Sequence, residues 1–131
     1  MVRGIGIDMA RISEFARYTD GLAEKEEREL DAFLTRGFTT GELALARGRH
    51  NPAEFLAGRF AVKEAAFKAL APLVPGGFDF RIVETLIRED GSPYVSVGPE
   101  LAAVLEQTGA RELLVSITNE GDYAVAMVLA Q

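Results

Sequence analysis

The chain opens on an alternating pattern and then changes its period twice. In VRGIGID (2–8), Arg3, Ile5 and Ile7 fall on one face and Gly4, Gly6 and Asp8 on the other, the period of two that predicts a strand. The glycine face of such a strand lets another backbone or a ligand come close. From residue 13 to about residue 70 the pattern is helical, with breaks near 19–21, 36–41 and 48–52. TTGE (39–42) offers a threonine and a following acid at a helix start, and NPAEF (51–55) offers Asn51 as N-cap with Pro52 at the first helical position. After APLVPGG (71–77) the period of two returns. FRIVETLI (80–87) and PYVSV (93–97) predict strands joined through Asp90-Gly91, and GPELAAVLEQTGA (98–110) predicts a helix ended by Gly109. ELLVSIT and YAVAMVLA predict a second hairpin across NEGD (119–122). The expected fold class is α+β, mostly antiparallel, with a helical block after strand 1 and the order β-α-α-α-β-β-α-β-β.

One predicted helix has an unusual distribution of charge. GRFAVKEAAFKAL (58–70) is almost wholly apolar or small, yet it carries Arg59, Lys63, Glu64 and Lys68. On a helical wheel Arg59 and Lys63 lie together, Glu64 and Lys68 lie together about a third of a turn away, and Phe60 and Phe67 fall between the pairs. A surface helix gathers its charges on one broad face; this one implies several buried faces and two narrow charged seams. Glu64–Lys68 alone reads as an exposed i,i+4 salt bridge of about 0.2–0.5 kcal/mol, and Asp8 alone reads as a cap for the helix that follows its strand. Together they supply two carboxylates and a cation, a combination suited to magnesium and phosphate. GIGID lacks the third glycine and the strand-to-helix turn of a dinucleotide fingerprint.

Composition narrows the options. At 131 residues, with 48% hydrophobic and 26% charged, the chain reads as one domain over 1–131 with a single core. Its apolar runs are too short to span a membrane, and its opening residues do not read as a secretory signal, so the expected location is cytoplasmic. Without cysteine there is no disulfide, zinc–thiolate site or thiol nucleophile, and His50, the single histidine, reads as a surface residue. A net charge of −6 excludes non-specific nucleic-acid binding as a leading reading and makes any phosphate site a local pocket. The available metal ligands are carboxylates, which favour hard cations.

Four segments in order carry a resemblance: GIGIDMARISEF (4–15), FTTGELALARGR (38–49), LAGRFAVKEAAFKAL (56–70) and VSITNEGDYAVAMVLA (115–130). They resemble the holo-acyl-carrier-protein synthases, the small group within the 4′-phosphopantetheinyl transferases. The third segment follows that group's Arg-Phe/Trp-Ala-x-Lys-Glu-Ala-x-x-Lys-Ala signature almost position for position. The resemblance implies the 4′-phosphopantetheinyl transferase-like fold. It also implies an enzyme of fatty acid biosynthesis that moves the phosphopantetheine arm of coenzyme A onto a serine of an apo-acyl carrier protein, with magnesium, releasing 3′,5′-ADP. Carried over by position, Asp8 and Glu64 bind the metal and Lys68 contacts phosphate and offsets leaving-group charge, these three being the catalytic set with Glu64 as candidate base. Arg59 and Lys63 lie near the nucleotide phosphates, Gly76 and Gly77 form the pantetheine-side loop, and Arg11 and Arg17 dock the acidic carrier. The family forms homotrimers with active sites between subunits, and Ala124 and Ala126 offer a flat strand face against which another element could pack.

Three features depart from the family pattern. Asn119 stands where the family usually has histidine, and asparagine donates a hydrogen bond to phosphate without a charge. Pro72 and Pro75 alter the turn before Gly76-Gly77, and AEKEERELDAF (23–33) is mostly acidic, which points to a specialised or less acidic carrier. The alternative these departures support is a catalytically impaired trimeric module that binds coenzyme A or a carrier.

Overall fold

The computed structural model describes residues 1–131, apart from the side chain of Phe80. The elements run β1 (Gly4–Arg11), α1 (Ala16–Thr19), α2 (Ala32–Gly37), α3 (Thr40–Arg47), α4 (Pro52–Leu70), β2 (Glu84–Ile87), β3 (Pro93–Ser96), α5 (Pro99–Thr108), β4 (Leu113–Glu120) and β5 (Tyr123–Ala130). This is the predicted α+β order with one more short helix in the helical block. All strand pairs are antiparallel, in a three-stranded sheet ordered β1-β5-β4 and a separate β2-β3 hairpin.

Local chemistry explains where the elements depart from the expected bounds. The strand expected over 80–87 starts only at Glu84, because Asp79 closes a turn first: its side chain accepts the Arg81 N–H at 2.8 Å and its carbonyl accepts that of Ile82 at 3.2 Å. The last hairpin turns on Gly121 and Asp122 alone, with Gly121 at φ +58°, so Asn119 stays inside β4 opposite Ala124. β1 runs on to Arg11, so Asp8 is a mid-strand residue rather than the cap of the following helix. Asp122 ties the end of β1 down, accepting both the N–H and the hydroxyl of Ser13, at 2.9 and 2.6 Å.

Helix α4 is the centre of the molecule. Asn51 accepts the Glu54 N–H and Pro52 fills the first turn, as read from the sequence. The helix has no single apolar face because it is covered on several sides: the sheet packs along one, and α3 and β2 lie on others. Its alanines at 57, 61, 65 and 66 are fully buried. The glycines of β1 make the closest approach. A Cβ on Gly6 would sit 1.8 Å from the Ala65 carbonyl oxygen, and one on Gly4 would sit 2.1 Å from that of Ala69. Strand backbone therefore lies directly on helix backbone.

The neighbouring face of β5 is small for the same reason. Ala124, Ala126, Val128 and Ala130 are fully buried, and in the strand register they share a side with Gly4, Gly6 and Asp8. The small residues Ala124 and Ala126 are core spacing: α4 of the same chain is the element that packs on their face. The uncovered apolar surface is on the other side of the sheet. Ile5, Ile7 and Met9 are 60%, 55% and 60% exposed, and Ile7 lies opposite the exposed Met127.

Gly6→Ala is expected to destabilise the fold by roughly 1–3 kcal/mol or more, the cost of forcing packed elements apart. Urea melts check this against Gly37→Ala, where nothing lies within 4 Å and the change is expected to stay within about 1 kcal/mol. Equal midpoints for the two variants would contradict the packing argument.

Candidate functional site

The close approach of β1 and α4 brings charged groups from two elements together. Asp8 projects from the helix-facing side of β1, two residues beyond Gly6. Lys68 donates from Nζ to Asp8 Oδ1 at 2.9 Å and to the Ile7 carbonyl at 3.0 Å. The lysine thus turns to the strand, and the predicted surface pair with Glu64 gives way to a strand–helix tie. Glu64 lies one turn earlier on α4, and its pKa is raised, chiefly by burial and then by the negative charge of Asp8, with Lys68 pulling the other way. Two carboxylates that repel each other across a backbone contact form a place that favours a cation.

These residues fit magnesium. Among the described residues no group of three or more His, Cys, Asp or Glu side chains could hold a metal ion. A pair of carboxylates leaves the remaining positions to water and substrate phosphates, as magnesium prefers. Asp8 and Glu64 would hold the ion, with Lys68 close by.

A cleft of about 520 Å³ opens further toward the start of α4, bounded by Gly58 and Arg59 of α4, Ile117 and Asn119 of β4, and Arg49 and His50 of the preceding loop. Arg59 is only 7% exposed. Its guanidinium lies 3.9 Å from the Phe55 ring centre, and that of Arg49 lies 4.6 Å from the same ring. Burial, with Arg49 adding to it, pulls the Arg59 pKa down to about 10, so the group remains a cation near neutrality. Among the described residues its Nε has no hydrogen-bond partner, although it is buried. A buried donor in that state costs about 1–3 kcal/mol, which an anion in the cleft would relieve. Arg59 and Asn119, singled out separately in the sequence, meet here.

Lys63 does not join them. It and Glu42 are 0% exposed and paired at 2.8 Å, and Lys63 also donates to the Val83 carbonyl at 2.6 Å. Burial pulls the Lys63 pKa down against the opposing pull of Glu42. Because the ammonium is fully enclosed, the nucleotide role expected from the sequence is corrected to an internal one. Gly76 and Gly77 take φ +90° and +71° in the turn after α4, where the Cβ position of Gly77 lies 3.6 Å from the Phe67 ring. They stand at the Lys68 end of the helix, away from the Arg59 end.

Arg11 and Arg17 come together on a second cleft, of about 750 Å³, with Phe15, Tyr18, Phe33 and Tyr123 among its walls. Arg11 lies over Tyr123 and Arg17 over Tyr18, to whose hydroxyl it also donates. The sequence reading missed Glu42, Phe55 and the cleft-side position of Arg49 and His50. TTGE marked Glu42 as a capping residue, and it is one, but its second oxygen accepts the Thr85 N–H at 3.0 Å, a long-range contact with no sequence signal. His50 is exposed as expected, at the cleft rim.

Comparison with known proteins gives the family and the fold. The model of the 4′-phosphopantetheinyl transferase superfamily matches residues 4–128. The chain is 37% identical over 131 residues to a holo-[acyl-carrier-protein] synthase of Nitratidesulfovibrio vulgaris, covering 100% of this chain and 99% of the relative. It is 35% identical to that of Myxococcus xanthus over 130 residues, or 99% and 95% of the two chains. Among solved structures, the holo-[acyl-carrier-protein] synthase of Neisseria meningitidis superposes with a TM-score of 0.80 at 30% identity, covering 100% of this chain and 99% of that one. An ACPS–CoA complex from Chronobacterium ammoniagenes does so at 0.74 and 30% identity, covering 98% and 96%.

The raised pKa of Glu64 has a stability consequence. The folded state holds that proton more tightly than the unfolded chain, so ionised Glu64 costs stability above its folded pKa. The cost fades as pH falls through that value toward the ordinary 4.5. Without divalent cations, Glu64→Gln is expected to melt higher than the native chain at pH 8, with the gap closing toward pH 4. A gap that is absent at pH 8, or that widens on acidification, would contradict the assignment.

Proposed function

The chain belongs to the 4′-phosphopantetheinyl transferase superfamily, and from that premise we propose that it moves the 4′-phosphopantetheine arm of coenzyme A onto a serine of an apo-acyl carrier protein, with magnesium. It is a phosphopantetheinyl transferase of the holo-[acyl-carrier-protein] synthase type. The observation that carries the mechanism is the meeting of Asp8 and Glu64 beside Lys68 where β1 and α4 touch.

The serine oxygen of the carrier attacks the phosphorus that bears pantetheine. The phosphorus–oxygen bond to the nucleotide half breaks, and 3′,5′-ADP leaves with that oxygen and its electron pair. The hydroxyl proton passes to Glu64, the carboxylate that burial and Asp8 hold above its ordinary pKa in the metal-free protein. A magnesium ion held by Asp8 and Glu64 would supply positive charge at the pyrophosphate. Lys68, released from Asp8, contacts phosphate and offsets charge on the leaving group. Arg59, Asn119 and Arg49 hold the nucleotide end, filling the buried donor of Arg59. Gly76 and Gly77 form the pantetheine-side turn. Arg11 and Arg17 present two cations on an aromatic floor to the acidic carrier.

The chain works as a single transferase domain over 1–131, in the cytoplasm, as a homotrimer with active sites between subunits. The uncovered face of Ile5, Ile7, Met9 and Met127 supports self-association, since monomers rarely leave such a patch exposed. An impaired binding module would have no need to keep Asp8, Glu64 and Lys68 together as a metal and phosphate site.

Incubated with coenzyme A, magnesium and this protein, an apo-acyl carrier protein is expected to gain one phosphopantetheine by intact-mass spectrometry. Chelation or Glu64→Gln should abolish the gain, and Lys68→Ala should slow it by about a hundred-fold or more. An unmodified carrier at tight coenzyme A binding would favour the binding module. Sedimentation is expected to give a trimer, and Ile7→Glu to give smaller species with reduced activity; a native monomer would contradict the shared-site reading.

A further inference from the structure

The contact that forms the site has a mechanical weakness. Where α4 meets β1, the closest approaches are those of Gly4 to Ala69 and Gly6 to Ala65. Helix packing is normally indexed by side-chain ridges that interlock, and glycine and alanine provide almost none. The surface allows close approach, but its own side chains index the helix only weakly; across it the half-exposed Lys68 ties the end of the helix to Asp8 and the Ile7 carbonyl. The two carboxylates lie on opposite sides of this contact, Asp8 on the strand and Glu64 on the helix. Any slip of α4 therefore changes their separation.

The far side of α4 carries a device that can index it. Lys63, about 140° around the helix from the mean direction of Ala65 and Ala69, donates to Glu42 Oε1 at 2.8 Å and to the Val83 carbonyl at 2.6 Å. Glu42 is held in turn by the N–H groups of Thr39, at 3.0 Å to Oε1, and Thr85, at 3.0 Å to Oε2. These bonds are directional and join α4 to α3 and β2. A buried ion pair is a weak source of stability, since apolar residues of similar volume often do as well or better, and registry is the best-attested use of such pairs.

We propose that the buried Glu42–Lys63 pair is a positioning device: it sets the rotation and register of α4 on the smooth face of β1 and thereby holds Glu64 at its working separation from Asp8. This rests on reading Asp8 and Glu64 as the metal site. Neither Glu42 nor Lys63 touches substrate; each acts through Glu64, the residue next to Lys63.

The test is the double variant Glu42→Met/Lys63→Met, with folding followed by circular dichroism. The expected result is a folded protein whose kcat falls by about ten- to a hundred-fold, as a misplaced group costs, while KM for coenzyme A stays within two-fold. Manganese affinity, read by electron paramagnetic resonance without coenzyme A, is expected to weaken several-fold. In crystals of the variant, the Lys68–Asp8 contact of 2.9 Å is expected to be broken. Native kcat and native manganese affinity in the folded double variant would overturn the proposal. If the double variant does not fold, Glu42→Gln, nearly identical in shape, carries the test, with a smaller fall in kcat at constant KM supporting it and native values overturning it. A native protein that transfers nothing and binds no manganese would sink the transferase reading instead. The crystals then judge the positioning alone, a broken contact supporting it and an intact one overturning it.

Discussion

The distance between helix α4 and strand β1 depends on two missing side chains. With Gly4 and Gly6 bare, the strand backbone rests on the carbonyls of Ala65 and Ala69, and the rest of the architecture follows from that spacing. β5 must present alanines where it passes beneath the same helix, and α4 must be alanine-rich where the sheet covers it. Larger side chains are displaced to the flanks, where Phe15, Phe33 and Phe60 form a cluster with ring centres 5.6–5.9 Å apart. A charged residue two positions past the glycines then lies within reach of the helix without needing a long side chain, which is why aspartate suffices at position 8.

Much of this was legible because its causes are local. The glycine face of β1, the Asn51-Pro52 start of α4 and the Asp90-Gly91 hairpin are written in adjacent residues and reappear as read. The split charges of α4 correctly implied several buried faces. They did not reveal which seam would be enclosed, because that depends on Glu42, Val83 and Thr85, which arrive from elsewhere in the chain. Lys63 looked like Arg59 on the wheel and ended in a different environment for that reason. Ala124 and Ala126 suggested a flat surface, but alternation alone cannot say which side of a strand its own helix will take. The 80–87 segment had strand composition throughout, and only the side-chain geometry of Asp79 delays the strand.

The electrostatics reconcile an acidic chain with anionic ligands. A net charge of −6 repels phosphates at long range, so cations are concentrated in clefts and held on aromatic rings. Arg49 and Arg59 share Phe55, Arg11 lies over Tyr123, and Arg17 over Tyr18. Ring faces hold a guanidinium in place without neutralising it as a carboxylate would. The clefts thereby keep cations for an incoming group, although Glu54 lines the first and Glu14, 3.9 Å from Arg11, lines the second.

The pairing of β1 with β5, from Gly4–Ala130 to Arg11–Tyr123, also bears on time. β1 leaves the ribosome well before its sheet partner β5, so the edge that carries Asp8 stays unpaired while the elements between them are made. Contacts across so much sequence form slowly. The α3–α4 pair, joined through Glu42 and Lys63 only 21 positions apart, has a far shorter loop to close and can assemble while the sheet waits. In such an order the helix is already seated when β1 returns to it, and the site closes only when β5 pairs with β1.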